Sequence, residues 1–165
     1  MPASVFSDNV RDQKKPPSPK EESPSLLNDR NLAFLNTLKS TYPNFSFKPG
    51  PKFLFRPKRS IFYVESNENF RLLLLHEVSH ALLGHFSYNK SLERLQIERD
   101  AWAKTRELCE QFSVAFDETI AESELNTYRD WLHQKTLCKT CGLSCLEVNS
   151  ESLYCPFCQK YYKKT

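Results

Sequence analysis

The stretch ENFRLLLLHEVSHALLGH, residues 68–85, decides how the rest of the chain is read. It is apolar on nearly every side, which predicts a buried helix at the centre of the fold, entered after the candidate caps Ser66 and Asn67 with Glu68 in the first turn and stopped at Gly84. His76 and His80 stand one helical turn apart, so their imidazoles share a face with Glu77 beside them. Two ring nitrogens suit a zinc ion, and the adjacent carboxylate suits a metal-bound water rather than the metal. Three of the four histidines, His76, His80 and His85, fall within ten residues, where burying an imidazole without a partner is costly. Such clustering points to a metal centre.

A zinc site of this kind needs a third protein ligand. A metzincin places a third histidine six positions after the second and adds a later Met-turn. Here His85 follows His80 by five, and Met1 is the single methionine, so that class is excluded. Residues 91–112, SLERLQIERDAWAKTRELCEQF, read as the next long helix. At about 100° per residue its apolar arc holds Leu92, Leu95, Ile97, Ala101, Trp102, Leu108, Cys109 and Phe112. Glu98 projects near the middle of that arc, where a carboxylate requires a cation or a hydrogen-bond partner; zinc held by His76 and His80 would supply it, and pairing with Arg94 is the alternative. Asp100 falls instead on the polar face with Glu93, Gln96, Lys104 and Glu107. His85, past the helix stop, is either a donor to a developing oxyanion or a packing residue at the helix end. Tyr63, Tyr88, Tyr128 and His133 are further electrophilic candidates that spacing does not separate.

Outward from this centre the organisation follows from composition. Residues 1–29 hold five of the ten prolines and a single aromatic, Phe6, which predicts a disordered tail. Residues 30–134 form the expected folded domain. Leu32, Phe34, Leu35 and Leu38 recur at helical spacing before Pro43, and FSFKPGPKFLFRPKRSIFYVES, residues 45–66, reads as two or three short antiparallel strands cut by turns. A last helix is expected over about Glu118–His133. The predicted class is α+β, with a small antiparallel sheet packed on the central HExxH helix and further helices.

Residues 135–165 carry Cys138-x-x-Cys141 and Cys155-x-x-Cys158, separated by 13 residues. Two such pairs in so short a segment predict a zinc ribbon, whose tetrahedral thiolate site contributes folding energy that a tiny core cannot. Cys145 is an alternative to Cys141 as ligand, and Cys109 reads as a small core residue. Lys139, Lys160, Lys163 and Lys164 with Tyr161 and Tyr162 leave nucleic-acid contact through the ribbon open, beside the commoner role of a solvated basic tail. Lys48, Lys52, Arg56, Lys58 and Arg59 on the strand region read chiefly as protection of an edge strand.

HEVSHALLGH followed by ERDAW at residues 98–102 resembles the ImmA/IrrE-type metallopeptidases, which are gluzincin-like. SIFYVES is similar to the strand that leads into the active helix of that family. TYRDWLH at residues 127–133 and the terminal cysteine pairs are similar to a subgroup carrying a zinc ribbon. The resemblance covers about residues 31–160. It implies zinc ligation by His76, His80 and Glu98, a general-base role for Glu77, and positions for Asp100 and Ala101 beside the third ligand. Its pattern is broken at Trp102, where Asn or Asp is usual. It further implies a protein substrate of the helix-turn-helix repressor type.

Bulk properties exclude little and decide less. Lys and Arg at 23 against Asp and Glu at 20 leave a net charge of +3, too small to argue for nucleic acid or membrane binding. The longest apolar run, Leu72–Leu75, is far short of the roughly 20 residues of a membrane helix, and MPASVFSDNVRDQKK holds no apolar signal core, so a cytoplasmic protein without membrane partners is expected. Paired cysteines in that setting read as metal ligands rather than disulfides. The expected function is that of a zinc-dependent metalloendopeptidase with one catalytic and one structural zinc, in which Glu77 takes a proton from water and passes it to the leaving nitrogen. An extended substrate would pair with a strand edge near residues 53–65. Two alternatives remain at this stage: an SprT-like protease acting on DNA-bound proteins, with His133 in place of Glu98, and a non-catalytic zinc-ribbon binding module.

Overall fold

Four helices and two small sheets make an α+β fold over the residues that this computed structural model describes, 24–56 and 58–164. Residues 1–23 of the expected tail and Pro57 of the expected turn lie outside them. Helix α1 spans Pro24–Thr41 and so takes in residues 24–29, which composition assigned to the tail. Proline as the first helical residue sacrifices no helical hydrogen bond, so a proline-rich lead-in does not delay the start. Phe34, Leu35 and Leu38 are buried, whereas Leu32 is 54% exposed and lies off the packed face.

Strands β1 (Ser46–Pro49), β2 (Leu54–Arg56) and β3 (Ser60–Tyr63) form a sheet in the order β1-β3-β2. The sheet is mixed rather than antiparallel: β2 runs against β3, but β1 runs parallel to it, with Phe47 opposite Ile61. The cause is the insertion of β3 between the first two strands. The connection over residues 50–53 spans two strand spacings of about 4.8 Å each, and the tight turn after Arg56 then feeds β3 into the gap. This order buries Ile61 and Tyr63 in the centre and leaves β2 as an edge.

Helix α2 (Phe70–Leu83) is the hub, touching α1, β2, β3 and α3 (Ser91–Gln111). Its N-cap is Asn69, so neither Ser66 nor Asn67 caps it and Glu68 precedes it. Asn67 builds the entry turn instead, its Oδ1 accepting from the Asn69 N–H at 2.8 Å and its carbonyl from the Phe70 N–H at 3.1 Å. Gly84 ends the helix at φ +70°, a left-handed conformation that a residue without Cβ adopts readily. Leu72, Leu74, Leu75 and Val78 fill the core, joined by Tyr63 and Phe53, whose rings pack on Phe70. Along α3, Ala101, Trp102, Thr105, Leu108 and Cys109 are buried, while Leu92 at the start is 52% exposed. Cys109 has the core role expected of it.

Helix α4 (Glu118–Thr136) packs on α3 and runs straight into the cysteine-rich module. There β4 (Leu146–Glu147), β5 (Ser152–Cys155) and β6 (Lys160–Lys163) form an antiparallel sheet, and the Cys145 N–H bonds the Thr136 carbonyl at 2.7 Å. Glu147 ties the module to the core: both its oxygens accept from the Ser91 N–H, at 3.0 and 2.9 Å, and it pairs with Lys164. A carboxylate at the first turn of α3 also complements the helix dipole. Among the described residues no helix is long and apolar enough to cross a membrane.

The two cysteine knuckles repeat one backbone pattern. Gly142 and Gln159 each follow the second cysteine, sit at φ +72° and +54°, and donate to the Cys138 and Cys155 carbonyls at 2.9 and 2.8 Å. Only the first knuckle has glycine at the left-handed position, which costs an L-residue roughly 1–2 kcal/mol. Gln159→Gly is therefore expected to raise the thermal midpoint of the zinc-loaded chain by about 2–4 °C. An unchanged or lower midpoint in a melting scan would show that no strain is relieved there.

Candidate metal centres

His76, His80 and Glu98, from α2 and α3, come together as a buried group with exposures of 8%, 9% and 7%. The two histidine Nε2 atoms are 3.1 Å apart, and Glu98 Oε2 lies 3.4 Å from His76 Nε2 and 3.3 Å from His80 Nε2. Tetrahedral zinc with bonds of 2.0–2.1 Å separates its ligand atoms by about 3.3–3.4 Å, so this nearly equilateral triangle fits such an ion. Glu98, rather than His133, is the third member: His133 is exposed on α4 and outside the group.

The electrostatics match that use. Burial opposes ionisation of Glu98, but hydrogen bonds from His76 and His80 outweigh it and hold its carboxyl down at about 2. Burial also lowers the pKa of His76, against the pull of Glu98, favouring the neutral ring that metal binding requires. Trp102 stacks on the His76 ring with centroids 4.1 Å apart and planes 25° apart, fixing its tilt by ring contact where Asn or Asp was the expected type. Its buried Nε1 has no hydrogen-bond partner among the described residues. Behind His76, Nδ1 lies 3.5 Å from the Thr105 hydroxyl, which donates to the Ala101 carbonyl at 2.7 Å and meets Ser79 at 3.1 Å.

Glu77 sits beside the triangle and is held by the sheet. Its Oε2 accepts from the Phe55 N–H at 2.5 Å, on the free side of edge strand β2. Burial pushes its carboxyl up to about 7, against the opposing effects of His80 and that N–H. Tyr128 of α4 reaches the group at Glu98: burial and a hydrogen bond with Glu98 raise its pKa, while Arg94 acts in the other direction. Arg94 itself is boxed by Tyr88, Tyr128 and Trp131, with its guanidinium 5.0–5.4 Å from the three ring centroids. Tyr63 is in the core against Phe70, and Tyr88 is 45% exposed. His85 Nδ1 is 3.1 Å from His80 Nδ1, and exposed Asp100 is near enough to act on His85.

The second group is Cys138, Cys141, Cys155 and Cys158, whose sulfurs all lie within 4.8 Å of one another. The Cys138–Cys158 and Cys141–Cys155 separations, 3.9 and 3.7 Å, bracket the roughly 3.8 Å expected around zinc with 2.3 Å bonds. Cys145 is buried and outside the group, so Cys141 is the fourth member. Burial works against a thiolate at Cys138, but hydrogen bonds from the Tyr162 hydroxyl and the backbone N–H groups of Cys141 and Thr140 prevail and hold it down at about 5. Both groups are compatible with zinc. No protein-family model, curated protein or solved structure matches the chain.

Proposed function

We propose that the protein is a zinc-dependent metalloendopeptidase of the ImmA/IrrE type with a structural zinc in its ribbon. The observation that carries this reading is the His76–His80–Glu98 triangle with Glu77 beside it on the same helix. A purely structural site would fill its fourth position from the protein, whereas here no fourth His, Cys, Asp or Glu joins the group among the described residues. A zinc ion held there would acidify a water molecule and polarise a scissile carbonyl. Glu77, with a carboxyl raised to about 7, is matched to accepting a proton near neutral pH and returning it to a leaving nitrogen. The edge position of β2, beside Glu77, supports binding of an extended segment by strand addition.

The substrate class to test first is the helix-turn-helix repressor expected from the resemblance, with fluorescein-labelled casein as a generic probe. Cleavage by the zinc-loaded chain that disappears in Glu77→Gln supports the assignment. Cleavage that survives that substitution removes Glu77 from the mechanism.

We propose in addition that the ribbon contacts nucleic acid. A cleft of about 430 Å³ between α4 and the ribbon is lined by Trp131, Lys135, Lys139, Tyr162, Lys163 and Lys164; among the described residues no Asp or Glu lines it, and of these lysines Lys164 is paired with Glu147. Lysines with aromatic faces suit a single strand's phosphates and bases. A fluorescein-labelled dT20 should bind at low salt, and Lys139→Glu with Lys163→Glu should weaken it and reduce the salt slope by about 0.7 per lysine. Absence of binding, or binding indifferent to both changes, would reject the contact.

A further inference from the structure

Arg94, near the start of α3, carries a charge that no carboxylate of the described residues answers. Its guanidinium lies 5.4, 5.1 and 5.0 Å from the ring centroids of Tyr88, Tyr128 and Trp131. Such ring contacts stabilise the charge but accept none of its five N–H donors. One donor, on Nη1, reaches the Tyr88 hydroxyl at 3.3 Å, and Tyr128 takes another. Both acceptors are neutral phenols.

The carboxylates around the first turns of α3 are committed elsewhere. Glu93 accepts from the Asn89 and Lys90 N–H groups at 2.7 and 3.1 Å, Glu98 faces His76 and His80, and Glu147 is held by Ser91 and Lys164. Among the described residues Arg94 forms no ion pair. Its surroundings add positive charge instead: Lys135 lies 5.9 Å from the Trp131 ring, and Lys90 and Lys135 both act on Lys164.

Position gives the unanswered charge a use. Arg94 and Glu98 stand four residues apart on α3, hence on one face, and the Tyr128 hydroxyl bonds with both. The aromatic box therefore adjoins the metal triangle, and its Tyr88 wall, 45% exposed, borders solvent. A guanidinium fork already held by rings matches the two oxygens of a carboxylate with little further ordering.

We propose that Arg94, in its box of Tyr88, Tyr128 and Trp131, binds a carboxylate of the peptide substrate and so selects chains with that group at a fixed distance from the scissile bond. This rests on the peptidase reading of the triangle and adds to it the class of substrate. The carboxylate comes from an acidic side chain or from the substrate's C-terminus. A nucleic-acid phosphate is the competing anion, but the lysines suited to it line the ribbon cleft, and Arg94 is not part of that wall.

The test digests a proteome-derived peptide mixture with the full zinc-loaded chain and reads the residues around each cut bond by mass spectrometry. Wild type should favour Asp and Glu over Asn and Gln at one fixed position by about 10- to 100-fold, as expected of a charge-assisted hydrogen bond. A C-terminal source would show instead as cuts at a constant distance from the chain end. Arg94→Lys should keep a reduced preference, and Arg94→Met should abolish it. Each preference is a ratio within one digest, so a partly unfolded variant lowers all cuts together and leaves the ratio readable. No such preference in wild type, or one that Arg94→Met retains, overturns the proposal. So does a loss of dT20 binding in Arg94→Met with no change in preference, which would assign the charge to nucleic acid. A wild-type chain that cuts nothing overturns the peptidase reading, and fluorescein-labelled hexaglutamate at low salt then decides on Arg94. Binding lost in Arg94→Met but kept in Lys139→Glu with Lys163→Glu supports a carboxylate site in the box; no binding, or binding indifferent to Arg94→Met, rejects it.

Discussion

Replacing Glu77 with glutamine is expected to abolish peptide hydrolysis and, in the same molecule, to stabilise the chain at alkaline pH before zinc enters the triangle. Glutamine preserves the volume, and its amide oxygen still accepts the Phe55 N–H, but it takes up no proton. Loss of a general base costs about 10²–10⁴-fold, while the zinc count should not change. The stability gain follows from linkage. Burial raises the folded-state pKa of Glu77 to about 7 from an ordinary 4.5, so between those values the native state keeps a proton that the unfolded state has released. Stability therefore falls as pH rises through that window and stays reduced above it. The amide is exempt, so the variant should match wild type near pH 4 and exceed it at pH 8 by roughly 1–3 kcal/mol. Urea unfolding at the two pH values measures the difference; equal stability at pH 8 would mean that Glu77 is not desolvated as its surroundings imply.

How far the site could be read in advance depended on how local each feature is. His76, Glu77 and His80 belong to one helix, and an i, i+4 pair needs no tertiary knowledge. Glu98 was legible because a carboxylate in the middle of an apolar arc has to be answered by a partner, and its neighbours Ala101 and Trp102 are indeed buried with it. Thr105 escaped notice, since a threonine bonding the carbonyl four residues back is ordinary within a helix. Only the packing of α3 on α2 turns that hydroxyl toward His76. The Phe55 contact to Glu77 was invisible for a stronger reason: a backbone N–H leaves no trace in residue identity.

The sheet illustrates the same limit. Alternation and prolines mark where strands start and stop, but the insertion of β3 between β1 and β2 is a long-range choice, and it produces the parallel pair. Leu32 and Leu92 follow the helical period yet are exposed, because an apolar stripe continues past the point where the opposing surface ends. The broken pattern at Trp102 was visible, whereas its stacking on His76 was not. In the ribbon, spacing left Cys141 and Cys145 as alternatives, and the knuckle turn at Gly142 separates them by placing Cys141 with the other sulfurs.

Zinc per chain is expected to be two in wild type and one in His80→Ala, and this count bears on the whole assignment. Removing His80 leaves two of the triangle's three donors, too few for tight binding, while the four thiolates of the ribbon are untouched. It also strips Glu98 of one of the two hydrogen bonds that hold its carboxyl at about 2. The metal-free core should therefore lose some stability as well, and circular dichroism must accompany the elemental analysis. Cys155→Ala is the reciprocal variant: it should lose the ribbon zinc and keep the one in the triangle, provided that Glu147 still anchors the module at Ser91. Two zincs falling to one in each variant would establish independent centres and justify the search for a repressor substrate. One zinc in both wild type and His80→Ala would leave only the ribbon, and a binding module would then account for the chain better than a peptidase.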